Sequence, residues 1–405
     1  MSTPSFVSHT AARLALAAIV LLALLATQQD RDDALAVTGF TPIMDLGLGT
    51  YLGFPGGLYE NGVNVVPADH ATDGAARVAA VQPRDTSDNP SASGKVVLVS
   101  IGMSNTTQEF CSGSSALPCS SWSFMGQAAV DPRVNHTTLA IVNGAAGGQT
   151  AMTWDAPTDT NYDRVRDTRL TPQGLSEAQV QAAWVKVADA GPTVPLPSAS
   201  SDAYALETHM GNIARAMKVR YPNLQLIFLS SRIYAGYATT TLNPEPYAYE
   251  SGFAVKWIVQ AQIDQQRNAG VPVDPRGGDL DFDVAPWLAW GPYLWADGTT
   301  ARSDGVVWLQ GDLAADGTHP AQSGQDKVGD MLLAFFTSSP YATPWFCANP
   351  DCSAAVGGVG GLAIAPQVID GSGGVSIDRW LLAGVAIAVL ATLVLAAALY
   401  RPRRA

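Results

Sequence analysis

Short β-branched apolar runs alternate with longer segments of mixed polarity through the middle of the chain. Residues 95–101 (KVVLVSI) form the clearest run. It follows a polar loop rich in Gly, Ser and Pro, and it predicts a strand buried on both faces. Residues 138–142 (TLAIV) predict a second strand and residues 224–229 (LQLIFL) another. Residues 180–187 (VQAAWVKV) fit a strand or a helix by periodicity and read as the third strand in chain order. Apolar positions on helical spacing predict helices around residues 209–219, over 252–268 and over 323–336. Buried strands separated by helices predict a three-layer α/β domain with a mainly parallel sheet.

The two ends carry a different pattern. Residues 14–26 (LALAAIVLLALLA) are apolar throughout and follow Arg13, which suits the core of a secretory signal or an uncleaved anchor. Small-residue cleavage sites end at Ala36 and at Ala26. Residues 380–400 (WLLAGVAIAVLATLVLAAALY) contain no charge, and as a helix they would span about 31 Å, the depth of a bilayer core. Trp380 and Tyr400 sit at its ends, and Arg401, Arg403 and Arg404 follow, which places the C-terminus in the cytoplasm. The same features describe a sorting signal exchanged for another anchor. Residues 356–375 are rich in Gly and read as a flexible stalk. The expected organisation is 1–36 signal or anchor, 37–346 globular domain, 347–378 stalk, 379–400 transmembrane helix and 401–405 basic tail. The protein is then expected at the cell membrane with its domain outside.

Charge and cysteine usage sharpen this picture. Among 405 residues the net charge is −12 and only 14% are charged, with no long basic run, which excludes a nucleic-acid partner. The 47% hydrophobic content, with 33 aromatics, supports a sizeable core. Four cysteines fall as two local pairs, Cys111 with Cys119 and Cys347 with Cys352, and outside the cytoplasm each pair predicts a disulfide. A zinc site is the rival, but neither pair is spaced as CxxC and no His is close in sequence.

Sites in parallel sheets gather at the carboxyl ends of the strands. The first run ends in Gly102-Met103-Ser104-Asn105, where a serine on a tight turn is a candidate nucleophile or simply a helix cap. The second leads into residues 143–150 (NGAAGGQT), a tight turn or an oxyanion hole made by backbone N–H groups. Near the end stands Asp316-Gly317-Thr318-His319-Pro320. Of His70, His136, His209 and His319, only His319 has a carboxylate three residues before it. A serine nucleophile needs such a base and such an orienting acid. His209 lies within a predicted helix and reads as packed or exposed.

Taken in this order, the three blocks resemble the SGNH (GDSL-like) hydrolase family over about residues 95–336. The resemblance implies a flavodoxin-like α/β/α sandwich and ester hydrolysis, often of acetyl groups on carbohydrate or acyl groups on lipid. It implies Ser104, Asp316 and His319 as the catalytic residues, the N–H groups of Ser104 and Gly148 as oxyanion donors, and no cofactor or metal. Met103 stands where the family has an Asp. Asp189 stands at the place of the family's third oxyanion donor, an Asn, and a charged carboxylate there would repel an oxyanion. Asn243 is an alternative donor, and an inactive scaffold is the other way out. Asn105, Gln149 and Trp154 are candidate substrate contacts. The aromatics Trp287, Trp290, Tyr293, Trp295 and Trp308 read as packing more readily than as a sugar platform. The expected activity is a serine esterase acting on a small-molecule or polysaccharide ester, with an inactive surface binding protein, a lipase or a thioesterase as alternatives.

Overall fold

A computed structural model describes residues 37–349, 351 and 352. The predicted signal, the Gly-rich stalk, the apolar C-terminal segment and the basic tail lie outside them. Among the described residues no helix is long and apolar enough to cross a membrane.

Five strands form one sheet: β1 (Val96–Gly102), β2 (Leu139–Asn143), β3 (Val180–Lys186), β4 (Leu226–Leu229) and β5 (Trp287–Trp290). All neighbours pair in parallel, in the order β2-β1-β3-β4-β5. That order is the flavodoxin-like, doubly wound arrangement. The chain reverses its winding between β1 and β3, and a crevice opens there at the carboxyl ends. Four of the strands match the apolar runs, and the ambiguous segment at 180–187 is a strand. β5 was not among the predicted strands. Its sequence, WLAW between Pro286 and Gly291, looks like an aromatic cluster, and four residues show no periodicity. Every residue of β1, β3, β4 and β5 is buried, so both faces of the sheet are covered.

Eight helices accompany the sheet among the described residues: α1 (Ala68–Ala80), α2 (Ser104–Phe110), α3 (Phe124–Ala128), α4 (Thr160–Val165), α5 (Asp202–Arg220), α6 (Tyr247–Arg267), α7 (Gln322–Ser338) and α8 (Thr343–Phe346). The predicted helices coincide with parts of α5, α6 and α7, the second running one residue past Arg267 to the C-cap Asn268. The N-cap of α5 is Ser201, whose hydroxyl oxygen accepts from the Ala203 N–H, and Lys218 and Arg220 sit in its last turn near the carbonyl end of the dipole. Helices α2, α3 and α7 pack together, and α5 packs on α6. The aromatic cluster is core: Trp287, Trp295 and Trp308 are fully buried. Their indole N–H groups donate to the His70 carbonyl, Glu245 Oε1 and the Leu294 carbonyl. Truncating one such Trp would cost roughly 3–5 kcal/mol.

Both disulfides are formed, Cys111–Cys119 just after α2 and Cys347–Cys352 near the end of the described chain. The second corrects the expected boundary at 346. Cys347 bridges to Val134, the Asn135 N–H donates to the Phe346 carbonyl, and both cysteines are buried. The globular unit therefore runs on to Cys352, stitched to the loop that enters β2 at the amino edge of the sheet. At the other end, the Thr38 and Gly39 N–H groups donate to the Asp297 carboxylate, beyond the carboxyl end of β5.

Candidate active site

Strand β1 stops at Gly102, where a Cβ would lie 2.1 Å from the Lys186 carbonyl oxygen of β3, so only glycine lets the two strands stay paired. Met103 follows, and Ser104 is the first residue of α2. Its hydroxyl is thereby held at the crevice. The closing loop meets it from the other side: Ser104 Oγ is 2.8 Å from His319 Nε2, and His319 Nδ1 is 2.6 Å from Asp316 Oδ2. Residues 215 positions apart thus form one hydrogen-bonded chain.

The Asp316–His319 turn is fixed from several directions. Asp316 Oδ1 accepts from the backbone N–H groups of Thr318 and His319. Burial pushes the Asp316 carboxyl up, but the hydrogen bonds from the His319 N–H, the His319 ring and the Thr318 N–H outweigh it and hold the pKa at about 2. Gly317 has φ +62°, and a Cβ there would lie 1.9 Å from the Tyr237 carbonyl oxygen. Asn105, the residue after Ser104, is buried and donates from Nδ2 to the Thr318 carbonyl at 2.9 Å. It therefore clamps the histidine turn onto the serine turn with one of its two amide N–H groups.

The Gly block forms the second wall. Ser100 Oγ donates to Asn143 Oδ1 at 2.8 Å, and Asn143 Nδ2 donates to Thr107 Oγ1 at 2.7 Å, which ties β1, β2 and α2 together. The Ala146 N–H then donates to the Gly102 carbonyl and brings the loop over the serine. Gly148 adopts φ +76°. Neither the Ser104 N–H nor the Gly148 N–H has an acceptor among the described residues. Ser104, Gly148 and His319 line one cavity of about 290 Å³ with Met103, Asn105, Thr150, Asp189, Ala190, Arg232, Leu242, Asn243 and Thr318.

Two expected contacts lie elsewhere. Trp154 is fully buried, its ring edge-on to Tyr162 and covered by the Arg164 guanidinium, so it offers no face to a substrate. Gln149 does not line the cavity; its Oε1 accepts from Asn161 Nδ2. Asp189 does line it, yet both carboxylate oxygens are buried without a hydrogen-bond donor, and the His209 ring approaches Oδ1 only to 3.9 Å at Nε2. Burial raises its pKa to about 6, offset in part by His209. As an acceptor-only group when ionised it cannot serve as an oxyanion donor. His209 is half-buried rather than idle: its Nδ1 contacts Asp155 Oδ2 at 2.8 Å. Asn243 reaches the cavity, but its Nδ2 donates to the Asp189 backbone carbonyl at 2.6 Å.

The helix that begins with Ser104 also carries buried charge that the sequence reading passed over. Lys186, the last residue of β3, contacts Glu109 of α2 at 2.5 Å, and both side chains are fully buried. Burial lowers the Lys186 pKa to about 8 and raises that of Glu109, each offset by the other. Arg232, in the loop after β4, is 2% exposed and also lines the cavity. Its place just past the carboxyl end of a predicted strand is the one signal that could have found it. Among the described residues no group of His, Cys, Asp and Glu is arranged to hold a metal ion.

No family description matches the sequence, and no curated protein matches it. Solved structures of similar chain path include an extracellular lipase from Streptomyces rimosus, at 15% identity over 59% of this chain and 99% of that one, with a TM-score of 0.28. A salicylyl-acyltransferase from a tetracycline biosynthetic pathway matches at 13% identity over 62% of this chain and 58% of that chain, with a TM-score of 0.32. A carbohydrate esterase family 2 enzyme from Corynascus thermopiles matches at 12% identity over 61% of this chain and 67% of that one, with a TM-score of 0.28. Likeness at this level carries no weight for the chemistry, which rests on the residues themselves.

Proposed function

We propose that this protein is a membrane-tethered, extracytoplasmic serine ester hydrolase that removes short acyl groups, acetyl above all, from carbohydrate. The observation that carries the reading is the continuous hydrogen-bonded chain Ser104–His319–Asp316 beside a cavity with two unpaired backbone N–H groups. In the forward step Ser104 Oγ attacks the ester carbonyl carbon and its proton passes to His319 Nε2. Asp316 holds the ring with Nδ1 protonated and stabilises the imidazolium. The carbonyl electron pair moves to oxygen and is met by the Ser104 and Gly148 N–H groups. Collapse of the tetrahedral adduct expels the alcohol, which takes the proton from His319, and leaves an acyl-serine. Water, deprotonated by His319, attacks it in turn and releases the acid.

A cavity of about 290 Å³ walled by Met103, Ala190 and Leu242 suits a short acyl group better than a fatty chain. The carbohydrate part rests on the resemblance and on the surface location that the terminal segments predict. The test is turnover of 4-nitrophenyl acetate and of acetylated xylan by the full-length protein in mild detergent, beside Ser104→Ala and with a fluorophosphonate probe. Turnover and labelling that vanish in the variant support the reading. A folded protein that neither turns over acyl esters nor labels would instead be a binding protein.

A further inference from the structure

The proposed reaction develops negative charge on the substrate carbonyl oxygen, and a carboxylate, Asp189, stands where a side-chain donor is expected beside the two backbone N–H groups. Asp189 has no proton to give when ionised, and one amide N–H of Asn243 is given to the Asp189 carbonyl and one of Asn105 to the Thr318 carbonyl, which fixes where both amides point. One cationic side chain remains on the cavity wall. The Arg232 guanidinium is 2% exposed, and its Nε has no acceptor. Its Nη1 faces only the Met103 sulfur at 3.7 Å, and its Nη2 makes a long contact of 3.4 Å to the Leu242 carbonyl. Met103 is the residue immediately before the nucleophile.

Glu109 and Glu245 act on this cation through space, but neither forms an ion pair with it. Glu109 is engaged by Lys186 at 2.5 Å. Glu245 already accepts from the Ala235 N–H, the Tyr249 N–H and the Trp295 indole. A buried guanidinium with neither a carboxylate nor a full set of acceptors is strongly disfavoured unless something else uses its field. Two anions could use it: a permanent charge on the substrate, or the transient charge of the tetrahedral adduct. A permanently anionic substrate would meet the Asp189 carboxylate on the same wall. The transient charge forms on the oxygen of the carbon that bonds Ser104 Oγ, one residue after Met103.

Resting on the esterase reading, we propose that Arg232 is a further catalytic residue, a cationic stabiliser of the oxyanion that takes the part of the missing amide donor. Its charge favours the transition state over the neutral ester, so it governs kcat rather than KM. A guanidinium keeps its charge across the working pH range, which an ammonium at the same buried place would not.

Arg232→Met and Arg232→Lys in the full-length protein test this with 4-nitrophenyl acetate and 4-nitrophenyl hemisuccinate. For Arg232→Met, kcat should fall about 100-fold on both esters with KM within about twofold, and fluorophosphonate labelling of Ser104 should slow in parallel. For Arg232→Lys, kcat should acquire an alkaline limb that the wild type lacks, because the buried ammonium deprotonates. This second readout stands if Arg232→Met fails to fold by circular dichroism. An unchanged kcat in Arg232→Met, a loss confined to KM for the anionic ester, or a wild-type pH profile in Arg232→Lys would each overturn the proposal while leaving the esterase reading intact. Absence of turnover and labelling in the wild type would overturn both together.

Discussion

Asp316 receives three hydrogen bonds, two from backbone N–H groups and one from the His319 ring. It therefore fixes the turn and the imidazole with the same carboxylate. Asp316→Asn keeps the shape but offers the ring the wrong partner, so kcat should fall about 10³-fold or more while KM and the folded circular dichroism spectrum stay close to wild type. Because its pKa is held at about 2, Asp316 stays ionised through mildly acid pH, and acid loss of kcat above about pH 3 must come from another group. Gly317→Ala probes the same turn from the backbone. The added methyl runs into the Tyr237 carbonyl in a left-handed conformation, and we expect loss of both kcat and at least about 1 kcal/mol of stability in denaturant melts. Ser104 was legible as a candidate because it follows the clear apolar run of β1, and Asp316 and His319 because they form an Asp-x-x-His turn bounded by Gly317 and Pro320. Arg232 was not, because its meaning lies in what it fails to contact. Trp154 was misread, since proximity in sequence to the Gly block says nothing about which way a ring points.

At the level of elements, the legible parts were the long apolar runs and the long helices. Pattern failed where an element is too short to show a period, as in β5. The Cys111–Cys119 pair was legible from its spacing together with the expected location outside the cytoplasm, and its loop hangs from the end of the helix that begins with Ser104. Closing eight residues restricts the unfolded chain by about 2–3 kcal/mol. Replacing both cysteines with serine should lower the denaturation midpoint by that amount, read in guanidinium melts. The effect on kcat should be small, since the loop lies at the far end of α2 from the nucleophile.

For the whole molecule, buried acids dominate the response to pH. Burial raises Asp189 to about 6, Glu245 and Glu250 to about 7 and Glu207 to about 8. Their unfolded values lie near 4, so the unfolded chain binds fewer protons as pH rises through that window, and the stability they contribute is lost between about pH 4 and 8. Buried His70, lowered to about 4, acts in the opposite sense between about 4 and 6.5 but is a single group. Below about pH 4 the depressed carboxylates Asp69 and Asp316 lose their contribution. Calorimetric melting temperatures should therefore peak near pH 4–5 and fall toward pH 8. Glu245→Gln should flatten that descent by up to about 1.4 kcal/mol per pH unit between pH 5 and 7. The two ends of the folded unit have a consequence for handling the protein. Thr38 is tied down beyond the carboxyl edge of the sheet, where the cavity opens, whereas Cys347 and Cys352 are stitched to the amino edge. Immobilised on a solid support through a linker after residue 352, the catalyst would present its mouth to the bulk liquid. Coupled through a linker before residue 37, it would face the support and starve for bulky polymers first.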